Sequence, residues 1–179
     1  MDMEEYLMSK IDHQIVGISV SFLIFIYLET LGYGIFTRMA AAFLAFGGAT
    51  APDWLEIAHG EKDYQGKWQR VSVIPHRTIT HWVPLWIVPA TLILWFLPSG
   101  QRIFVHAGRA EVMAVALGFL LGGISHLACD IPNSTGVPVL WPTAKHRISL
   151  RWWKSGSAFE WIEILAFWGI TASVWFFVA

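Results

Sequence analysis

Seven side chains in this chain sit in short motifs whose types suit divalent-metal chemistry: His13, Asp53, Glu56, His76, His81, His126 and Asp130. His126 and Asp130 are four residues apart, so on a helix they share a face. Asp53 and Glu56 are three apart and become neighbours if that stretch is helical. His76 and His81 diverge on one continuous helix, but converge if His76 lies in a loop after Pro75 and His81 in the first helical turn. Imidazole nitrogens with carboxylate oxygens suit zinc first, with manganese or iron as alternatives, and need no cysteine. Seven donors exceed what one tetrahedral ion uses, which points to one or two divalent ions. A two-ion site turns water into hydroxide and clamps a phosphoryl oxygen. Arg77, with its planar fork of donors, suits phosphate oxygens, and Thr80 stands near enough in sequence to help hold them. Asp130 or Glu56 serves as general base if not fully coordinated.

The elements that must position these groups are membrane helices. Of the 179 residues, 55% are hydrophobic and only 14% charged, far from the charged fraction of a soluble domain. Eleven tryptophans point to membrane interfaces. Apolar runs cover residues 15–36, 39–52, 82–97, 112–129 and 159–179. Crossing the hydrocarbon takes about 20 helical residues, so the second and third runs need flanking residues or cover from protein. The expected fold is all-α: a single polytopic membrane domain over residues 1–179, with about five transmembrane helices. The acidic start lacks a basic n-region and a cleavage site, so the first apolar run is expected to be retained as a helix. The lone Cys129 excludes an internal disulfide, and a net charge of −1 gives no argument for nucleic acid.

Alternation of five helices puts every metal-binding motif at the helix ends on one membrane face. That face also receives Lys10, Lys62, Lys67, Arg70, Arg77, Lys145, Arg147, Arg151 and Lys154, against Arg38, Arg102 and Arg109 on the other. The positive-inside rule then places the site and the N-terminus in the cytoplasm and the C-terminus outside. Any one interfacial histidine is more often a snorkelling or hydrogen-bonded group than a ligand; the coincidence of several on one face changes that balance. His59, His106 and His146 lack such company and read as solvated. Gly118 and Gly122 form a small-xxx-small pair that packs helices. Ser157 and Glu160 have capping-box spacing, Glu160 can also stand just outside the site, and Glu163 needs a partner. The basic and aromatic stretch 145–154 reads as an anchor on anionic lipid, so membrane lipids are expected partners.

Taken in order, these motifs resemble one family. His13 ahead of an apolar helix with Gly17, then Pro52-Asp53, His76-Arg77-x-x-Thr80-His81, and Ser125-His126-x-x-x-Asp130 are similar to the YdjM-like proteins. Thr135-Gly136-Val137-Pro138 and Leu140-Trp141-Pro142 extend the likeness, which runs from His13 to Glu160. The resemblance implies a prokaryotic inner-membrane location, a divalent metal and a hydrolase of the phospholipase or phosphoesterase kind. It implies site roles for His13, Asp53, His76, His81, His126 and Asp130. The chain departs from the family's Pro-Asp-x-Asp-His, reading Pro52-Asp53-Trp54-Leu55-Glu56.

Three functions compete. The first is a membrane-bound, metal-dependent phosphoesterase acting on a lipid or membrane-proximal substrate. The second is a metal-free lipid phosphatase, because His126-x-x-x-Asp130 is similar to the last PAP2 motif; the companion Lys/Arg-Pro and Pro-Ser-Gly-His motifs do not occur here. The third is a non-catalytic metal-binding or scaffold membrane protein. The first is the expectation carried forward.

Overall fold

The computed structural model describes residues 3–62, 64–66, 68–97, 107–143, 146–154 and 157–178. Lys67, Arg102, His106 and Lys145, used above for orientation or as a solvated histidine, lie outside these residues, as do the side chains of Lys10 and Arg70. Six helices carry the described chain: α1 (Met3–Thr30), α2 (Ile35–Gly48), α3 (Ala51–Trp54), α4 (Val83–Phe96), α5 (Ala107–Asp130) and α6 (Glu160–Val178). Three stretches are long and apolar enough to cross a membrane: Ile11–Thr30, Gly108–Asp130 and Glu160–Val178. At about 1.5 Å per residue the 14-residue helices α2 and α4 are each about 21 Å long, short of a hydrocarbon core of about 30 Å.

Small residues decide how the helices meet. A Cβ added to Gly118 would lie 2.1 Å from the Ala41 carbonyl, and one on Gly122 2.1 Å from that of Ala45. Gly48 of α2 makes the reciprocal approach to the Phe119 carbonyl of α5. The two backbones therefore touch, as the spacing of Gly118 and Gly122 leads one to expect. On α1, Ser21 donates to the carbonyl of Gly17 in its own helix and to Ala42 of α2 (2.7 Å). Ser19 pairs with Thr171 of α6 at 2.6 Å. These contacts surround an apolar core of Val16, Ile24, Leu28, Ala45, Leu117 and Ile164. Trp86 of α4 occupies the space a side chain at Gly123 would need. Much of α6 turns Trp161, Ile162, Leu165, Phe176 and Phe177 outward, the pattern of a lipid-facing helix.

The polar stretches depart from an all-α fold. Residues between α3 and α4 form an antiparallel hairpin, β1 (Ala58–Lys62) with β2 (Trp68–Ser72), Ala58 facing Ser72. After α5, β3 (Val137–Pro138) pairs with β4 (Arg147–Ile148). Their strands are five and two residues long, too short for an apolar period to announce them. The capping box at Ser157 and Glu160 does not form. The Glu160 N–H bonds the Ser157 carbonyl, and the Ser157 hydroxyl is buried without a hydrogen-bond partner.

Candidate metal centre

Each hairpin brings distant chain segments together. The first continues past its strands: the Val73 N–H bonds the Ile57 carbonyl, and that of Ile74 bonds the Glu56 carbonyl. That zipper sets Pro75-His76-Arg77 beside the end of α3, bridging the sequence separation of 20 between Glu56 and His76. A 3-10 turn (Ile79–His81) then tucks His81 inward before α4. In the second, the Leu150 and Trp152 N–H groups bond the carbonyls of Ile131 and Pro132. Arg147 is thereby carried to the backbone of Arg77, donating to its carbonyl at 3.0 Å.

The centre is buried. His81 and Glu56 are completely inaccessible, and His126 and Asp130 are 1% exposed. The Nδ1 of His126 lies 2.8 Å from the Ala49 carbonyl, which only accepts, so Nδ1 carries the hydrogen. His81 points its Nδ1 at Glu56 (3.3 Å) and Thr80 (3.0 Å), and a carboxylate again fixes the hydrogen there. In both neutral rings the lone pair is therefore on Nε2, and these two atoms face each other at 3.3 Å. Two lone pairs at that distance repel, so a proton or a metal ion must sit between them.

Two carboxylates complete the figure. His81 Nε2 is 3.5 Å from Asp53 Oδ1 and 3.5 Å from Asp130 Oδ2. His126 Nε2 is 3.9 Å from Asp53 Oδ1 and 3.5 Å from Asp130 Oδ2. Tetrahedral ligands about 2.0–2.2 Å from a metal stand about 3.3–3.6 Å from one another. Four of these five distances fall in that range, and the fifth, His126 to Asp53 at 3.9 Å, is wider. Asp130 Oδ2 is buried without a hydrogen bond, as is His13 Nδ1. The His13 ring stacks on His126 with centroids 4.0 Å apart.

Two groups of donors can hold a metal ion: Asp53, Glu56, His76 and His81 in one, and His13, His126 and Asp130 in the other. All seven residues singled out by type and spacing are therefore brought together, the two groups touching through His81, His126 and Asp130. Within this set Glu56 is the most heavily bonded. It takes hydrogen bonds from His76 Nδ1 (2.9 Å), the Arg77 amide (3.0 Å), His81 and the Thr80 hydroxyl (3.5 Å). Burial alone would raise its carboxyl, but the hydrogen bonds from His76 and His81 hold it at about 2. A carboxylate so low and so occupied is a poor general base. Asp53 is likewise held well below the usual range, the hydrogen bond from His81 outweighing burial. For His81, burial opposes the proton, but Asp53, Glu56 and the charge of Asp130 raise the imidazole to about 9.

Arg77 ion-pairs with Asp130 Oδ1 at 2.5 Å through Nη2. Its φ of 54° is left-handed, a conformation that costs a non-glycine residue about 1–3 kcal/mol and is held here by the amide bond to Glu56. Thr80 spends its hydroxyl on Glu56 and His81, so it positions those groups and does not reach outward. Three participants escape a reading of motifs: the Ala49 carbonyl, Asn133, which donates to Asp130 Oδ1 at 3.4 Å, and Arg147. Asn133 stands three residues beyond Asp130, a spacing that hints at its role; nothing in the sequence marks the other two. His59 pairs with Glu61 on the surface and His146 is exposed, both apart from the centre.

Fold and centre together describe a helical membrane protein with a buried histidine–carboxylate cluster able to hold a metal ion. The chain belongs to the YdjM inner membrane protein family, whose sequence model matches residues 8–178. No curated protein and no solved structure matches it.

Proposed function

We propose that this chain is a metal-dependent hydrolase of the inner membrane that acts on a phosphoester at the lipid surface. The observation that carries this reading is the convergence of His81 Nε2, His126 Nε2, Asp53 Oδ1 and Asp130 Oδ2, with the histidines 3.3 Å apart and 3.5–3.9 Å from the carboxylates. Those four residues would hold one divalent ion, zinc by donor chemistry. His13, grouped with His126 and Asp130, extends the donor set toward a second. A divalent ion here supplies Lewis acidity and lowers the pKa of water. The protein's own part is preorganisation. Glu56 and the Ala49 carbonyl lock the tautomers of His81 and His126, the outer hydrogen bonds that raise ligand basicity. His76, half exposed with Nδ1 bonded to Glu56, carries a proton to or from a reacting group through Nε2. Arg77 holds the phosphoryl oxygens beside the ion.

One observation favours a second, non-catalytic reading. Four protein ligands close a tetrahedral ion, the habit of structural zinc, whereas catalytic sites keep a position open. Asp53, 24% exposed at its side chain, is the ligand through which the centre reaches solvent.

Metal analysis of the purified protein is expected to find at least one divalent ion per chain, lost in His81→Ala and His126→Ala. Less than one ion in the wild type refutes the proposal. A phosphoester and lipid screen on metal-loaded protein, with His81→Ala as control, separates the two readings. Turnover that disappears in the variant supports the hydrolase, and full metal without turnover supports the structural site.

A further inference from the structure

Two of the groups beside the centre that the metal leaves unexplained are guanidinium cations. Arg77 is 92% buried at its side chain and spends only Nη2 on Asp130, while its Nε and Nη1 are buried with no hydrogen-bond partner. Arg147, from the second hairpin, donates Nη2 to the carbonyls of Arg77 (3.0 Å) and His76 (3.5 Å). Its Nε is buried and unpartnered too. Among the described residues no carboxylate lies within ion-pair distance of Arg147, and Asp130 is already shared between Arg77 and the histidines. Three buried guanidinium nitrogens without acceptors are a rarity in folded proteins and ask for an anion.

We infer that Arg77 and Arg147 form one two-guanidinium subsite for the oxygens of a terminal phosphate, next to the histidine–carboxylate cluster. This inference rests on the hydrolase reading for its place in a reaction, but not for the binding itself. Two fixed forks match the oxygens of a phosphate group. Two positive charges against the one carboxylate paired with Arg77 leave an excess that a dianionic monoester balances and a monoanionic diester does not. Arg147 is then a specificity residue and not merely a lipid-surface charge. Its hydrogen bonds to the carbonyls of His76 and Arg77 tie the second hairpin to the strained Arg77 backbone. The phosphate can come from a lipid headgroup or from a soluble ester, since the recognised chemistry is the same.

The test uses detergent-purified full-length protein and inorganic phosphate as probe, with binding read by calorimetry at about pH 8, where phosphate is mostly dianionic. Arg147→Ala and Arg147→Gln are expected to weaken phosphate binding at least tenfold, with metal content unchanged. Arg151→Gln, an exposed cation on the same segment, is expected to leave it unchanged. Dimethyl phosphate is expected to bind at least tenfold more weakly than phosphate. Competition by vesicles of phosphatidic acid assigns the lipid source, and competition by glycerol phosphate the soluble one. Competition by neither overturns the inference. So do Arg147 variants that fold and bind phosphate within twofold of wild type, or equal affinity for dimethyl phosphate. Phosphate binding that depends on Arg147 in a protein without metal refutes the hydrolase reading and leaves the subsite standing.

Discussion

His81 is where proton and metal compete. In the metal-free protein its imidazole is raised to about 9, so below that pH a proton occupies the position between the two Nε2 atoms. A metal ion must displace this proton, so affinity should fall by about tenfold for each pH unit below 9 and level off above it. Competition against a chelator of known affinity, run from pH 6 to 9.5, measures the slope; a flat profile means His81 is not a ligand. Glu56 makes a different prediction. Its oxygens are engaged by His76, His81, Thr80 and the Arg77 amide, so it orients ligands more than it coordinates. Glu56→Gln should therefore keep one ion per chain but bind it about 10–100-fold more weakly, the usual cost of losing such a partner. Outright loss of metal, as expected for His81→Ala, would make Glu56 a ligand.

At the scale of elements, close helix packing and the two hairpins set the geometry that the side chains use. Ala49, whose carbonyl fixes His126, is held where α2 abuts α5 through Gly48, Gly118 and Gly122. A side chain at Gly122 meets the Ala45 carbonyl and the Ala49 amide, backbone that cannot swing aside. Gly122→Val should destabilise the protein by about 1–3 kcal/mol and loosen metal retention along with it. Thermal unfolding in detergent, with metal content measured on the same sample, checks both effects; a variant as stable as wild type would show that this contact is dispensable. The glycine seam was legible because small-residue spacing is a direct consequence of helix geometry. So were the donors on helix ends, His126 with Asp130 above all, since a four-residue spacing has one meaning on a helix. The hairpins were not legible. Their strands are short, β1 is exposed along its whole length, and their pairing depends on backbone hydrogen bonds that leave no apolar period. Arg147 was invisible for the same reason: only the second hairpin takes it to Arg77. In sequence it is one more cation in a basic, tryptophan-containing stretch.

At the scale of the whole molecule, three full-length spans and two shorter apolar helices must share one bilayer. Helices α2 and α4 pack within the bundle, with Ala41, Ala45, Trp86 and Ala90 buried, and α2 contacts both α1 and α5. We propose that both cross a locally thinned bilayer, the accommodation a short helix usually finds. The short helix Ala51–Trp54 and the turn Ile79–His81 would then lie at the membrane surface, leaving the buried centre at interfacial depth on the cytoplasmic face. The described cations agree in direction. Lys62, Arg77, Arg147, Arg151 and Lys154 lie at or beyond the end that bears the centre, while Arg109 at the start of α5 and Arg38, paired with Glu29, lie at the other. Two engineered thiols decide the matter, because the native Cys129 is buried and should label little. Gly34, in the turn between α1 and α2, has open space around its Cα and a φ of −65°, so Gly34→Cys fits without strain. Tyr64, at the tip of the first hairpin, is 95% exposed. With a membrane-impermeant thiol reagent, Gly34→Cys should label in spheroplasts and Tyr64→Cys only in inverted vesicles. Exchange of the two patterns would reverse the orientation and put the centre outside the cytoplasm. Labelling of both from one side would show that α2 does not cross, leaving a helix dipped into the bilayer from the face where it began.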